Sequence, residues 1–243
     1  MADKTGVFSN TEILEAIKTG QIVISPFEPN YVNTTSVDVR LGEHYYSISD
    51  HRKDSVVYNP FDKKNVLSHF EYKRAVPLSQ ARKTLVLGEL ENYPKNHLVI
   101  PMRPRERILG HTYEFIGISK EGTSSMQARS TVGRSGINVC QDAGWGDCGY
   151  INRWTMEIYN NNDRHVLLPV GWRIAQIVFY HSSNVEGEYS SDTGKYQTKL
   201  ANSVDELIAS WQPSMLLPQA YKDNIEVYKP MECDKIWQNV ANT

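Results

Sequence analysis

The chain has few cysteines and no long hydrophobic run. Its 243 residues include three cysteines and no CxxC pair. This absence argues against a structural zinc site, and the low cysteine count is typical of a reducing compartment. No segment approaches the roughly 18–20 apolar residues of a membrane helix, and residues 1–6 contain no apolar signal core. We therefore expect a soluble cytoplasmic protein without a membrane partner.

The chain also lacks a strong charge of either sign. It has 26 Lys and Arg against 28 Asp and Glu, for a net charge of -2. Because no basic field is present, we expect no nucleic-acid partner, and any anion must be bound by a local group of residues. A chain of this length can bury one sizeable core, so we expect one domain followed by a tail.

Most of the sequence predicts short strands. Residues 9–19 predict a helix capped by Ser9 or Asn10, and residues 203–206 have capping-box spacing that opens a second short helix. Residues 48–76 are polar and predict an insertion or long loop. Between Gly, Pro, Asn and Asp residues lie short β-rich runs at 22–24, 36–42, 84–87, 97–100, 108–109, 115–119, 136–139, 154–159, 166–168 and 173–180. Such runs are typical of a β-barrel or sandwich.

Residues 129–136, RSTVGRSG, have the composition of an anion site. They offer two guanidinium groups, several hydroxyls and backbone N–H groups, and the glycines allow a ligand to approach the backbone. Charge-assisted hydrogen bonds contribute roughly 1.5–3 kcal/mol each, so a few of them can hold a triphosphate. A polar turn between strands is the alternative interpretation.

This segment resembles the Arg-Ser-Ser-x-x-Arg-x-Gly motif of dCTP deaminases, a branch of the trimeric dUTPase superfamily. Thr131 replaces the second serine and Gly133 replaces a usual alanine. The resemblance implies that Arg129 and Thr131 bind phosphates, that Ser130 orients the attacking water, and that Arg134 supports the site. It extends from about residue 8 to residue 199.

Glu157 is a carboxylate within an apolar run. Deamination of cytosine needs a group that moves protons to the ring and to the leaving ammonia, and a carboxylate tuned by burial can do both. A residue at this position can also face solvent, since strand residues alternate. The resemblance implies that Glu157 is the proton shuttle and that the Ala143 carbonyl helps to hold the water.

The sugar pocket and the lid follow from the same resemblance. It implies that Asp147 binds the deoxyribose 3′-hydroxyl and that Tyr150 packs beside the sugar. Residues 187–199 resemble the family's lid, in which Lys199 replaces a glutamine. The remaining residues predicted to bind the nucleotide are Thr155, Gln176, Tyr189, Lys195 and Lys199.

The resemblance implies a mostly β, distorted jelly-roll-like β-barrel with a few short helices. We expect residues 1–199 to form the nucleotide-binding domain, with the insertion at 48–76 and the lid at 187–199. Residues 200–243 then form a partly helical extension, whose aromatic side chains we expect to pack on the body or on a neighbouring subunit. The family implies a homotrimer with sites shared between subunits.

The predicted function is hydrolytic deamination of dCTP to dUTP and ammonia in dTTP precursor metabolism. Mg²⁺ accompanies the triphosphate, and no zinc is expected. A zinc-dependent deaminase requires H-x-E together with P-C-x-x-C, and only the first half occurs, at residues 69–71.

Three alternatives remain open at this point. One is a bifunctional enzyme that converts dCTP to dUMP, which residues 143–145 also resemble. The others are a dUTPase and a non-catalytic nucleotide-binding regulator. Departures from the family pattern around the sugar pocket allow a modified dCTP as substrate; they lie at residues 141–142, Gly146, Cys148 and Asn152.

Overall fold

The computed structural model describes residues 5–49, 57–94, 96–119, 121–141, 143–183, 185–187, 189, 194–197 and 203–226. The strands are β1 (Ile22–Ser25), β2 (Val37–Arg40), β3 (His44–Ile48), β4 (Phe70–Arg74), β5 (Val76–Pro77), β6 (Leu98–Met102), β7 (Arg107–Ile118), β8 (Gly122–Ala128), β9 (Ile137–Asn138), β10 (Trp145–Gly146), β11 (Ile151–Asn160), β12 (Val166–Pro169) and β13 (Arg173–His181). The helices are α1 (Asn10–Lys18), α2 (Lys63–His69), α3 (Leu78–Leu85), α4 (Ser130–Arg134) and α5 (Val204–Ser210), and 3₁₀ turns cover Pro29–Tyr31, Pro213–Leu216 and Ala220–Lys222.

The strands form three antiparallel sheets. The largest has the order β4-β3-β7-β11-β9, with β1 also paired to β7. The second has the order β10-β8-β13-β2 and the third β12-β6-β5. Strands β7 and β11 form a long ladder, from Ile151 opposite Gly117 to Tyr159 opposite Arg107.

One hydrophobic core lies between these sheets. It includes fully buried residues from each of them, such as Ile116 on β7, Ile177 on β13 and Ile100 on β6. The prediction of a mostly β, jelly-roll-like fold with a few short helices is confirmed. Within the described residues, the sheets share this core without closing into a single hydrogen-bonded barrel.

The sequence pattern located α1 correctly. The Ser9 hydroxyl accepts a hydrogen bond from the Glu12 backbone N–H, and the Glu12 carboxylate accepts one from the Ser9 N–H at 3.0 Å. This reciprocal pair satisfies two backbone donors that a helix start leaves free. Ile13 and Ala16 are the residues that the helix buries. No helix in the described ranges is both long and apolar enough to cross a membrane.

One local prediction was wrong, and of the two possibilities given for residues 48–76 the long loop was wrong. Residues 84–87 were predicted as a β-rich run, but they contain the end of α3, which stops at Val86 in the left-handed conformation. Leu78 and Ala81 of this helix are buried in a small cluster with Val99. Tertiary packing therefore overrides the local β preference. The described part of the 48–76 segment is ordered, since α2 buries Val66 and β4 pairs with β3.

The described part of the C-terminal extension packs on the body, as predicted. Leu216 and Leu217 are buried against Tyr46 and Leu109 on one face of the largest sheet. Burial of a leucine side chain contributes roughly 1.5–3 kcal/mol, so the two leucines hold the extension firmly. The Trp211 ring also packs on the His111 ring, with centroids 4.8 Å apart.

His111 is buried in its neutral form. Its Nδ1 lies 2.7 Å from the Thr112 carbonyl oxygen, and its Nε2 accepts a hydrogen bond from the His44 N–H at 3.2 Å. Burial, with a smaller contribution from the nearby positive charge of Arg153, lowers the pKa of His111 from 6.5 to about 3. An imidazole held this way must stay unprotonated for the fold to remain intact.

This burial predicts a pH dependence of stability. Between pH 6.5 and about 3 the unfolded chain binds one more proton at His111 than the folded chain does. The free energy of unfolding should therefore fall as the pH is lowered through this window, by up to about 1.4 kcal/mol per pH unit. The free energy of unfolding, measured with urea at several pH values, should change less steeply with pH for His111→Gln than for the native protein. The exposed His165→Gln control should keep the native slope, and equal slopes for all three proteins would contradict the account.

Candidate nucleotide site

A cavity of about 670 Å³ opens on the face of the largest sheet that carries Leu109. Its volume is within the roughly 300–1,000 Å³ typical of small-molecule sites. Six of the residues predicted to act in catalysis or to bind nucleotide line it: Ala143, Asp147, Tyr150, Thr155, Glu157 and Tyr189. The structure thus brings together residues that are spread over a long stretch of sequence.

Glu157 reaches the cavity because of the alternation along β11. Met156 and Ile158 are fully buried in the core, so the intervening Glu157 faces the opposite side, opposite Leu109 of β7. It is half-buried. The Cys140 thiol lies close by, and burial together with the negative charge of Glu157 raises the pKa of that thiol. A half-buried carboxylate that opens into a cavity is suited to proton transfer.

Three aromatic rings form one end of the cavity. The Tyr150 ring meets the Trp154 ring edge-on at 5.6 Å and the Tyr189 ring edge-on at 5.3 Å. Burial, with smaller effects of Tyr189 and Tyr196, raises the pKa of Tyr150, which therefore remains a neutral phenol. Asp147 is exposed at this end, and its backbone carbonyl accepts a hydrogen bond from the Tyr150 N–H at 3.1 Å.

The described part of the predicted lid is docked over this aromatic end. The Tyr189 N–H donates to the Cys148 carbonyl at 2.7 Å, and the Tyr189 hydroxyl accepts from the Tyr196 N–H at 3.1 Å. The Asn152 side chain donates to the Tyr196 carbonyl at 2.7 Å, and Gln197 accepts from the Ile151 N–H at 3.3 Å. Tyr196 itself lines the cavity. These contacts hold residues 194–197 against the start of β11.

The predicted anion cradle lies outside this cavity. Ser130, Thr131 and Arg134 are exposed residues of the short helix α4. Arg129 precedes that helix, and its guanidinium lies 3.4 Å from the buried carboxylate of Asp38. None of these four predicted residues lines the cavity around Glu157.

Gln176 lies on the side of the molecule that carries Arg129 and the rest of the anion cradle. It lies on β13, opposite Asp38 of β2 on one side and Gln127 of β8 on the other. Arg173, also on β13, pairs with Asp38 at 3.1 Å. Within a single chain, the residues predicted to bind phosphates and Glu157 therefore lie in two separate places.

Several walls of the cavity were missed by sequence reasoning. Tyr58, His69 and Phe70 come from the 48–76 segment, and Leu216 and Pro218 come from the extension. The Tyr58 and His69 rings are stacked, with centroids 4.0 Å apart. The aromatic content of both segments was visible in the sequence, but only long-range packing shows that they meet at Glu157.

Lys195 and Lys199 are the two lysines of the lid that were predicted to bind the nucleotide. The Lys195 ammonium forms an ion pair with Asp223 of the extension. The hydrogen bond that the Lys195 ammonium donates to the Asp223 carboxylate is the main cause that raises the pKa of Lys195. Lys195 does not line the cavity, and Lys199 lies outside the described residues. The contact with Asp223 nevertheless joins the lid to the extension.

The described residues contain no group of three or more His, Cys, Asp or Glu side chains arranged to hold a metal ion. Magnesium in nucleotide sites commonly keeps several waters and is held by substrate phosphates and one or two carboxylates. The side chains in the described ranges are compatible with an ion that arrives with a triphosphate.

Comparison with known proteins identifies the family. A family model described as dCTP deaminase-like matches residues 7–182, and the chain belongs to that family. It is 30% identical over 189 residues to the "dCTP deaminase, dUMP-forming" of Methanosphaerula palustris, covering 76% of this chain and 87% of that protein. It is 28% identical over 173 residues to the protein of the same description from Aquifex aeolicus, covering 71% and 80%.

A solved structure agrees at the level of the fold. The 2'-deoxycytidine 5'-triphosphate deaminase of Agrobacterium tumefaciens superposes with a TM-score of 0.51 at 15% identity. The match covers 75% of this chain and 50% of that one, so this chain matches half the length of the Agrobacterium protein. The two proteins share a fold, and the sequence relatives carry the family assignment.

These comparisons confirm that the chain is an enzyme of the dCTP deaminase class. They contradict our prediction that dUTP is the product, because the relatives are described as dUMP-forming. The Ala143-Gly144-Trp145 segment was the signal for this outcome, since it resembles bifunctional members of the family. One deoxynucleotide pocket can serve both steps, so the presence of Glu157 could not decide between the two products.

The ion pair between Lys195 and Asp223 generates a testable prediction. If Lys195 contacts the nucleotide, as the resemblance implies, it must exchange Asp223 for a phosphate. Exposed ion pairs contribute about 0–1 kcal/mol, so Asp223→Asn should lower the Kd for dCTP by up to about fivefold in calorimetric titration. Asp205→Asn, which removes an exposed carboxylate of α5, is the control and should change nothing. A raised Kd for Asp223→Asn would show instead that the ion pair positions the lid.

Proposed function

We propose that this protein is a bifunctional dCTP deaminase that releases dUMP. The overall reaction is dCTP plus two waters to dUMP, ammonia and diphosphate. The observation that carries the proposal is the placement of Glu157 in a cavity with Asp147 and Tyr150 at its other end. This arrangement fits a deoxynucleotide whose base lies at Glu157 and whose sugar lies at Tyr150. The dUMP-forming relatives support the product.

The first step is the deamination of the base. Glu157 takes a proton from water, and the water oxygen adds to C4 of cytosine. The carboxyl group gives this proton to N3, then takes the remaining water proton from the hydroxyl now on C4 and passes it to the exocyclic amine. The C4–N bond breaks, ammonia leaves and C4 becomes a carbonyl carbon. The Ala143 carbonyl would accept a hydrogen bond from the attacking water, and Ser130, which does not line the cavity of its own chain, would orient this water from a neighbouring subunit. General acid–base catalysis of this kind contributes roughly 10²–10⁴-fold to the rate.

The second step is the release of diphosphate. A second water attacks the α-phosphorus, and the bond between that atom and the oxygen bridging to the β-phosphorus breaks. Asp147 is the carboxylate at the sugar end of the cavity and is placed to orient this water or the 3′-hydroxyl. Mg²⁺ that arrives with the triphosphate neutralises its charge.

The separation of the cradle from Glu157 supports a shared site in a homotrimer. Arg129, Ser130 and Thr131 of one subunit would bind the phosphates of a nucleotide whose base lies at Glu157 of another, and Arg134 would support that site. The Asp38 carboxylate, which is 3% exposed, holds Arg129 in place for this role. Gln176 lies beside the same network.

The remaining assignments follow from this arrangement. Residues 1–199 would form the nucleotide-binding domain, with Thr155 at the base, and Tyr189, Lys195 and Lys199 in the lid. Residues 200–243 would be an extension that completes the cavity. Cys140 and Cys148 are free thiols, which fits a protein of the reducing cytoplasm.

Product analysis tests the proposal directly. The protein, incubated with dCTP and Mg²⁺, should yield dUMP, diphosphate and ammonia in equal amounts when the products are separated by chromatography. dUTP supplied as substrate should also yield dUMP. Binding of dCTP without any product would contradict the proposed function.

The role of Glu157 is tested by Glu157→Gln, which keeps the size of the side chain and removes the proton shuttle. We expect deamination of dCTP to fall by about 10²–10⁴-fold, while hydrolysis of dUTP to dUMP continues. Glu71→Gln, which changes an exposed glutamate of β4, should retain both activities. Near-native deamination by Glu157→Gln would show that another group moves the protons.

A further inference from the structure

The residues that line the cavity lie on two sides of Glu157, and we call the parts of the cavity that they line its two arms. One arm runs from Glu157 along β11 to Tyr150, the residue before that strand, about 23 Å at roughly 3.3 Å per residue. The other crosses the sheet from β11 over β7 and β3 to β4, about 14 Å at roughly 4.8 Å per strand. The proposed function places the sugar and phosphates in the first arm. The second arm has no part in it.

The second arm is a built apolar space. Leu109 of β7, Ile48 of β3 and Phe70 of β4 form its floor, and Leu216 and Pro218 of the extension form its roof. Leu109, Leu216 and Phe70 pack in one hydrophobic cluster, which fixes the extension to the sheet beside this arm. This space is therefore continuous with the folded body.

The insertion closes the side of the same arm. The Tyr58 ring, stacked on His69, lines the cavity. Burial, with a smaller effect of Tyr196 in the lid, raises the pKa of Tyr58. Tyr58 is thus near the lid, while the Gln219 N–H of the extension donates to the Tyr196 hydroxyl at 3.2 Å. The insertion, the lid and the extension converge on one space.

The chemistry of the base indicates what this space receives. With C4 at Glu157 and the sugar toward Tyr150, C5 is the ring atom next to C4 on the side opposite N3. A substituent on C5 therefore extends beyond Glu157 and away from the sugar. The hydrogen on C5 of dCTP is too small to reach across an arm that spans several strands, whereas an apolar substituent there would add dispersion contacts with the side chains that line it.

We infer that the second arm is a subsite for an apolar substituent on C5, and that the preferred substrate is a 5-substituted deoxycytidine nucleotide. This inference rests on the proposed function and specifies its substrate class. The chemical step is unchanged, because water still replaces the amine on C4 and the substituent is carried into the uracil product.

The test compares kcat/KM for dCTP, 5-methyl-dCTP and 5-propynyl-dCTP with the full-length protein and Mg²⁺. One methylene group in an apolar pocket changes kcat/KM by roughly 10- to 200-fold. The ratio of kcat/KM for 5-methyl-dCTP to that for dCTP should therefore be on the order of ten. A ratio of one or less overturns the inference.

A pair of adjacent leucines provides the matched variants. Leu216 and Leu217 are both buried, but Leu216 lines the cavity and Leu217 does not. Leu216→Phe should narrow the arm and lower the ratio of kcat/KM for 5-propynyl-dCTP to that for dCTP by at least about tenfold. Leu216→Ala should raise this ratio. Leu217→Phe should leave the ratio as in the native protein. Equal ratios for the Leu216 and Leu217 variants overturn the inference, and the native ratio decides the question if a variant fails to fold.

The two proposals fail in different ways. If the native protein deaminates dCTP but does not favour the 5-substituted nucleotides, only the subsite is wrong. If none of the three nucleotides is deaminated, the proposed function is wrong and the subsite falls with it.

Discussion

The antiparallel pairing of β7 with β11 is the constraint on which the candidate site depends. It fixes Glu157 opposite Leu109 and leaves Met156 and Ile158 in the core. Because side chains alternate along a strand, a shift of one residue would send the carboxylate into the core and the apolar residues into the cavity. Burial of Met156 and Ile158 therefore determines which way Glu157 points, and the chemistry follows from hydrophobic packing.

The same sheet face holds the segments that close the cavity. Leu216 and Leu217 are buried against Leu109 and Tyr46, and such burial contributes several kcal/mol in total. The ion pair of Lys195 with Asp223 is exposed to solvent, which screens it, so it is the weaker attachment. The extension is thus attached by its leucines, and the ion pair can exchange partners during binding without detaching the extension. This difference in magnitude separates the fixed roof of the cavity from the lid.

Sequence reasoning succeeded where local pattern and structure coincide. Helix α1 and its cap at Ser9, one of the two candidates, depend on near neighbours and were predicted correctly. The alternation around Glu157 also depends on near neighbours, but the sequence left open which face Glu157 takes. Sequence reasoning failed where distant residues decide the structure, as at residues 84–87, where the end of α3 replaces the predicted strand because Leu78 and Ala81 of that helix pack with Val99. The cavity walls at Tyr58 and Leu216 also required the folded chain. The separation of Arg129 from Glu157 had no signal within a single sequence, although the family resemblance implied shared sites.

The central claim is that a nucleotide bridges the cavity around Glu157 and the cradle at Arg129 of another subunit. A crystal structure of the Glu157→Gln variant with dCTP and Mg²⁺ tests it most directly. The account predicts the cytosine amine within hydrogen-bonding distance of residue 157 and the triphosphate on the Arg129–Thr131 segment of a neighbouring subunit. A nucleotide bound away from residue 157, or a triphosphate with no contact to that segment in any subunit, would contradict it.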